Sequence, residues 1–135
     1  MATFNKIFSF TEALAEKVHD LENDTLTIAL TNTGHNTAWT QLSDLTEVSY
    51  ANCSSRVITV STSAQTTGTY KLVLTDLTLT ASGAVGPFQY VYIYNDTAIN
   101  NELIGYYDYG SAVTLADGDT FKIDFDATSG VLTIA

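Results

Sequence analysis

Basic residues are scarce in this chain. Five Lys and Arg stand against fifteen Asp and Glu, for a formal net charge of −10. Nucleic-acid phosphates and anionic membrane surfaces repel such a chain, which argues against DNA, RNA or lipid headgroups as direct partners. Cys53 is the one cysteine, so no intramolecular disulfide can form. No apolar run approaches the roughly 18 residues of a membrane-spanning helix. The opening residues carry Glu12 and Glu16 and lack the basic-then-apolar pattern of a secretory signal. The expectation is a chain made and folded in a reducing cytoplasm. Charged residues of both signs make up only 15%, against about a quarter in ordinary domains. Threonine and serine take their place, a composition suited to pleated, partly covered surfaces.

What the chain has in quantity is tyrosine, and it is concentrated. Between Pro87 and Gly110 fall Tyr90, Tyr92, Tyr94, Tyr106, Tyr107 and Tyr109, out of eight in all. Side chains alternate across a strand, so Phe88, Tyr90, Tyr92 and Tyr94 share one face while Val91 and Ile93 share the other. A strand apolar on both faces belongs inside a covered sheet. The run Leu103–Tyr109 is similar, and its Gly105 marks a bulge or a close backbone approach. Pro87, the only proline, stands at a strand start.

One amphipathic helix precedes the strands. Ile7, Phe10, Leu14, Val18 and Leu21 recur at helical spacing, predicting a helix over about residues 9–20. Ser9 and Glu12 fit a capping box, with Asn5 as an earlier candidate cap. Thr25–Thr31 then alternates strictly. From Asn32 to about Ser55 the pattern weakens into a long excursion around Trp39, with a short helical turn near Leu42, Leu45 and Val48. Long irregular loops in compact domains are usually functional or disordered. Further strands are expected at Arg56–Thr62, Thr69–Thr75, Asp76–Thr80, the aromatic run, Leu103–Tyr109, Ala112–Leu115, Phe121–Asp126 and Val131–Ile134. Asp117-Gly118 and Ser129-Gly130 supply the turns. The whole, residues 1–135, is expected to be a single, mainly β domain: one N-terminal helix and eight or nine short strands in an antiparallel β-sandwich of jelly-roll type spanning about 24–135.

Catalytic candidates are few. His19 near the helix C-terminus is explained by the helix dipole, and His35 in a polar turn by solvation. A Cys53–His35 nucleophile–base pair has nothing in the sequence to bring it together. Asp124 with Asp126, and Asp117 with Asp119, are carboxylate pairs of a kind that can hold calcium, but no run has the spacing of a defined ligand loop. No catalytic residue, cofactor or metal ligand is assigned. For the tyrosine face three uses stay open: core, protein interface, or a platform that stacks on sugar rings.

Several stretches resemble a set of small virion structural proteins of tailed bacteriophages: Phe4-Asn5-Lys6 with FTEALAEKVHDL, then DTLTIALTNT, GPFQYVYIYND, LIGYYDYG, and the closing LADGDTFKIDFDATSGVLTIA. The likeness covers most of the chain and is weakest between His35 and Gly68. Where such proteins carry a proline soon after ALTNT, this chain has Gly34-His35-Asn36. The resemblance implies a non-enzymatic capsid decoration or cement protein on the outer surface of the virion, binding the major capsid protein and self-associating as a dimer or trimer. The alternatives are a tail or head–tail connector component and, from another class, a carbohydrate-binding β-sandwich module. Interface residues expected on this reading come from the helix region (Phe4, Ile7, Phe8), the excursion (His35, Trp39, Leu42) and the second tyrosine run (Tyr106).

Overall fold

In the computed structural model, residues 2–135 are described. The chain is mainly β and all its sheets are antiparallel. In order it forms β1 (Phe4–Lys6), α1 (Phe10–Ala15), β2 (Leu26–Thr31), a 3-10 turn (Leu42–Asp44), β3 (Val57–Ile58), β4 (Val60–Thr66), β5 (Thr69–Leu74), β6 (Leu77–Thr80), β7 (Val85–Asn95), β8 (Leu103–Leu115), β9 (Thr120–Ile123) and β10 (Leu132–Ile134). A five-stranded sheet runs β1-β8-β7-β2-β3, a three-stranded sheet β10-β5-β4, and β6 pairs with β9. Buried residues from all three sheets, among them Ile93, Leu72 and Leu79, belong to one continuous core.

The aromatic run is the central strand of the large sheet, as its two-sided apolar pattern requires. β7 lies between β2 and β8, and Tyr92, Val91 and Ile93 are fully buried. The pairing Ile28↔Ile93, Ala29↔Tyr92 and Tyr92↔Tyr106 sorts side chains onto two faces. One face is aliphatic, with Leu26, Ile28, Leu30, Val91 and Ile93. The other carries Tyr90, Tyr92, Tyr94 and Tyr106.

Several elements differ from the sequence expectation. β1 is a strand ahead of the helix, paired with β8 through Lys6↔Gly105; three residues are too short to show a period. The helix ends at Ala15, not near residue 20. Lys17 takes a positive φ of 68°, with Val18 N–H donating to Ala13 O (2.8 Å) and Lys17 N–H to Leu14 O (3.3 Å), a Schellman stop with lysine where glycine is usual. Ser9 makes no side-chain cap bond, so the Ser9–Glu12 capping box does not form. The expected Arg56–Thr62 strand is two strands: the chain leaves the large sheet after Ile58 and enters the three-stranded sheet at Val60. The two runs around Gly110 are one thirteen-residue strand, β8, which passes Gly110 at φ 82°.

Candidate interaction surface

The stretch from Asn32 to Ser55 takes its course from the tyrosine face. Leaving β2, it sets the His35 ring against Tyr90 (5.1 Å between centroids) and Tyr106 (5.4 Å), and Trp39 against Tyr92 (6.2 Å). The Asn36 N–H donates to the Tyr92 hydroxyl at 3.4 Å. Burial pushes the Tyr92 hydroxyl up to about 12. The chain then reaches the β8 side, where Leu103 N–H donates to Thr40 O and Leu42 N–H to Asn101 O, both at 3.0 Å. Asp44 accepts the Thr40 and Gln41 N–H groups (2.9 and 3.2 Å) and fixes the 3-10 turn. It returns to β2, where Val48 N–H meets Leu30 O at 3.0 Å and the Tyr50 hydroxyl accepts from Leu30 N–H at 2.9 Å. Arg56 lies 3.6 Å over the Tyr50 ring and donates to Ile28 O at 2.6 Å. The excursion thus covers the tyrosines, with almost no regular structure of its own.

That covering decides where the expected interface residues stand. Tyr106 is 4% exposed, stacked on Tyr92 at 5.0 Å and under His35, so it offers nothing outward. Ile7 is fully buried, and Phe4 is half-buried against Tyr107. Trp39 and Leu42 are half-buried, with His35 on the surface. Phe8 is 69% exposed. Its N–H donates to Thr37 O at 2.9 Å, so the N-terminal segment and the excursion meet there. Ile99, which sequence reasoning passed over, is 97% exposed. Its one available signal is an isoleucine inside the polar connection Asn95–Glu102. A groove of about 370 Å³ joins Ile99 to Leu42 and Leu45. Phe8, Trp39, Leu42 and Ile99 are therefore carried by segments hydrogen-bonded to one another through the 37–42 stretch.

At the Asn95 end of β7, opposite Leu26, a polar knot joins the sheet to the chain that follows the helix. His19 is buried, stacked on Phe10 at 5.4 Å, and its Nδ1 lies 3.0 Å from the Asn95 amide nitrogen. The Asn95 amide also donates to Asp24 Oδ2 at 2.6 Å, and its Oδ1 accepts the Thr97 and Ala98 N–H groups. Burial lowers the His19 pKa below the ordinary imidazole value, while the carboxylates of Glu102 and Asp24 pull it back up. The helix-dipole account of His19 is therefore replaced: the residue lies beyond the helix and packs inward. A groove of about 520 Å³ opens beside it, bordered by Leu14, Asp20, Glu22, Ser63, Tyr70 and Ile134.

The remaining polar candidates are held in local structure. Asp126 Oδ1 accepts the Thr128 and Ser129 N–H groups, which lower its pKa, and Asp124 Oδ1 accepts from Asp126 N–H. Asp119 closes its turn on Ala116 N–H. Cys53 sits in an isolated bridge to Ala81, its thiol pushed up by burial, whereas the His35 ring packs on Tyr90 and Tyr106. Among the described residues no three His, Cys, Asp or Glu side chains are grouped to hold a metal ion. No protein-family model matches the chain, and no curated protein or solved structure matches it.

Proposed function

We propose that this chain is a non-enzymatic structural protein of a phage particle, a decoration or cement protein that binds and stabilises the assembled shell. It docks on the major capsid protein from outside through the side bearing Phe8, Trp39, Leu42 and Ile99. The jelly-roll sandwich expected from the strand spacing is the fold proposed for that role, and the covering of β2 and β7 on both faces supports two-layer packing about them. One observation carries the docking assignment. Phe8 and Ile99, two large apolar side chains left 69% and 97% exposed, stand on segments hydrogen-bonded to the 37–42 stretch. Exposed apolar side chains backed by a polar rim are what protein partners bury. A net charge of −10 suits attachment to a basic protein surface and a position away from the packaged genome.

The test is binding to purified shells lacking the protein. Phe8→Asp together with Ile99→Asp should abolish binding while leaving the circular dichroism spectrum and urea midpoint near those of the parent. Full binding by the folded double variant overturns the docking assignment. Copy number addresses the role: hundreds per particle agree with decoration, whereas about a dozen or fewer point to a ring-shaped connector or tail component. The sugar-binding alternative needs an open aromatic platform, and the burial of Tyr90, Tyr92 and Tyr106 under His35 and Trp39 counts against it.

A further inference from the structure

Edge strands expose unpaired backbone groups, and monomeric proteins blunt them by keeping them short, charging them, or bending them away. Most edges here follow the first device. β1 and β10 have three residues each and β3 two, and the β6–β9 pair is four long. β4 does not. It runs seven residues, Val60–Thr66, and nothing lies beyond it in the order β10-β5-β4. Its one irregularity falls between Val60 and Thr62, so Thr62–Thr66 pairs regularly with β5 and leaves its other side without a paired strand. Thr62, Ala64, Gln65 and Thr66 are all exposed.

The chemistry of this edge is as distinctive as its length. From Val57 through Tyr70 no residue is charged, although the chain as a whole carries −10. The same stretch borders both larger sheets, as β3 at the edge of one and β4 at the edge of the other, with Val57 49% exposed at its start. A two-fold contact sets a patch against itself, so the patch must be self-complementary and free of like charges meeting across the axis. Serine and threonine, each both donor and acceptor, satisfy that demand.

From these observations we infer that β4 is a self-association edge: two copies pair antiparallel through β4 and β4′, joining their three-stranded sheets into one continuous sheet across a two-fold axis. The uncharged strip lets two strongly anionic chains approach along this line with the least repulsion. Net-charge repulsion elsewhere makes pairing tighten with added salt, since screening acts on like charges while backbone hydrogen bonds remain. The inference concerns two copies of this chain alone and does not depend on the shell reading.

Sedimentation velocity on the purified full chain, at low and high salt, measures it. The expected result is a species of twice the chain mass, more populated at higher salt. Thr62→Lys with Ala64→Lys, both on exposed positions, should yield a monomer with unchanged circular dichroism. A parent chain that stays monomeric up to about 100 µM, well above micromolar affinity, overturns the inference, as does a double variant that remains dimeric. A second measurement covers misfolding of that variant. In a Cys53→Ser background, Ala64→Cys should form disulfide-linked dimers on mild oxidation at least about tenfold faster than Thr114→Cys, an exposed position on β8. Equal rates overturn the pairing.

Discussion

Gly105 sits opposite Lys6, where the N-terminal strand pairs along the edge of the large sheet, and replacing it with alanine tests how that strand is held. An ideal Cβ at this position would run into the Phe4 ring and lie 2.6 Å from the Asn5 carbonyl oxygen. The ring can swing aside; the backbone oxygen moves only if β1 moves. Its register, Phe4↔Tyr107 through Lys6↔Gly105, and the Ile7 N–H bond to Ile104 O at 3.0 Å fix that strand. Overpacking of this kind costs about 1–3 kcal/mol. Restricting the unfolded chain by a glycine-to-alanine change returns about 0.4–1 kcal/mol. The net expectation is a loss of about 1–2 kcal/mol, or roughly 3–8 °C in Tm for a domain of this length. Urea unfolding should show a lower midpoint at unchanged slope. A double-mutant cycle with Phe4→Ala isolates the ring: with the ring gone, Gly105→Ala should cost less by at least about 0.5 kcal/mol. If Gly105→Ala is as stable as the parent, or if the two changes simply add, the close-approach argument is wrong.

Three further outcomes follow from named contacts. Burial depresses the His19 pKa in the folded chain, so the unfolded chain binds the proton more readily. His19 therefore contributes stability that is complete above its ordinary value of 6.5 and is lost as the pH falls below it. The urea midpoint should drop between pH 7.5 and 5.5 by more in the parent than in His19→Gln, and equal drops refute the assignment. Lys17→Gly should raise stability by about 0.5–1 kcal/mol, because glycine takes the left-handed conformation of the helix stop without penalty; a lower urea midpoint would contradict this. Tyr50→Phe leaves the Leu30 N–H without its acceptor and should cost about 1–2 kcal/mol, with faster hydrogen exchange at the Leu30 amide.

Periodicity was decisive where a segment carried its own pattern. Leu26, Ile28 and Leu30 alternate with threonine and alanine, and Tyr90, Tyr92 and Tyr94 alternate with Val91 and Ile93. Both patterns placed strands correctly, and the second placed a central one. Short elements had too little pattern to show. β1 spans under two repeats, and α1 stops because Lys17 turns left-handed, which no lysine announces. Exposure was only partly legible: the spacing of the second tyrosine run points Tyr106 outward, yet it is buried, and nothing in the sequence marks Ile99 as exposed, because exposure depends on what chain elsewhere folds across a residue.

The sequence by itself determined a mainly β antiparallel chain, a tyrosine-rich central strand, and strong negative charge, since each is a property of local alternation or of composition. Only the tertiary structure decided what covers the tyrosines. His35 and Trp39 each lie more than fifty residues along the chain from the tyrosines they pack on, and contacts at that range leave no periodic trace in either segment. The same holds for the free edge of β4. Its lack of charge is written in the sequence, but its place at the margin of a sheet follows from which strands pair beside it.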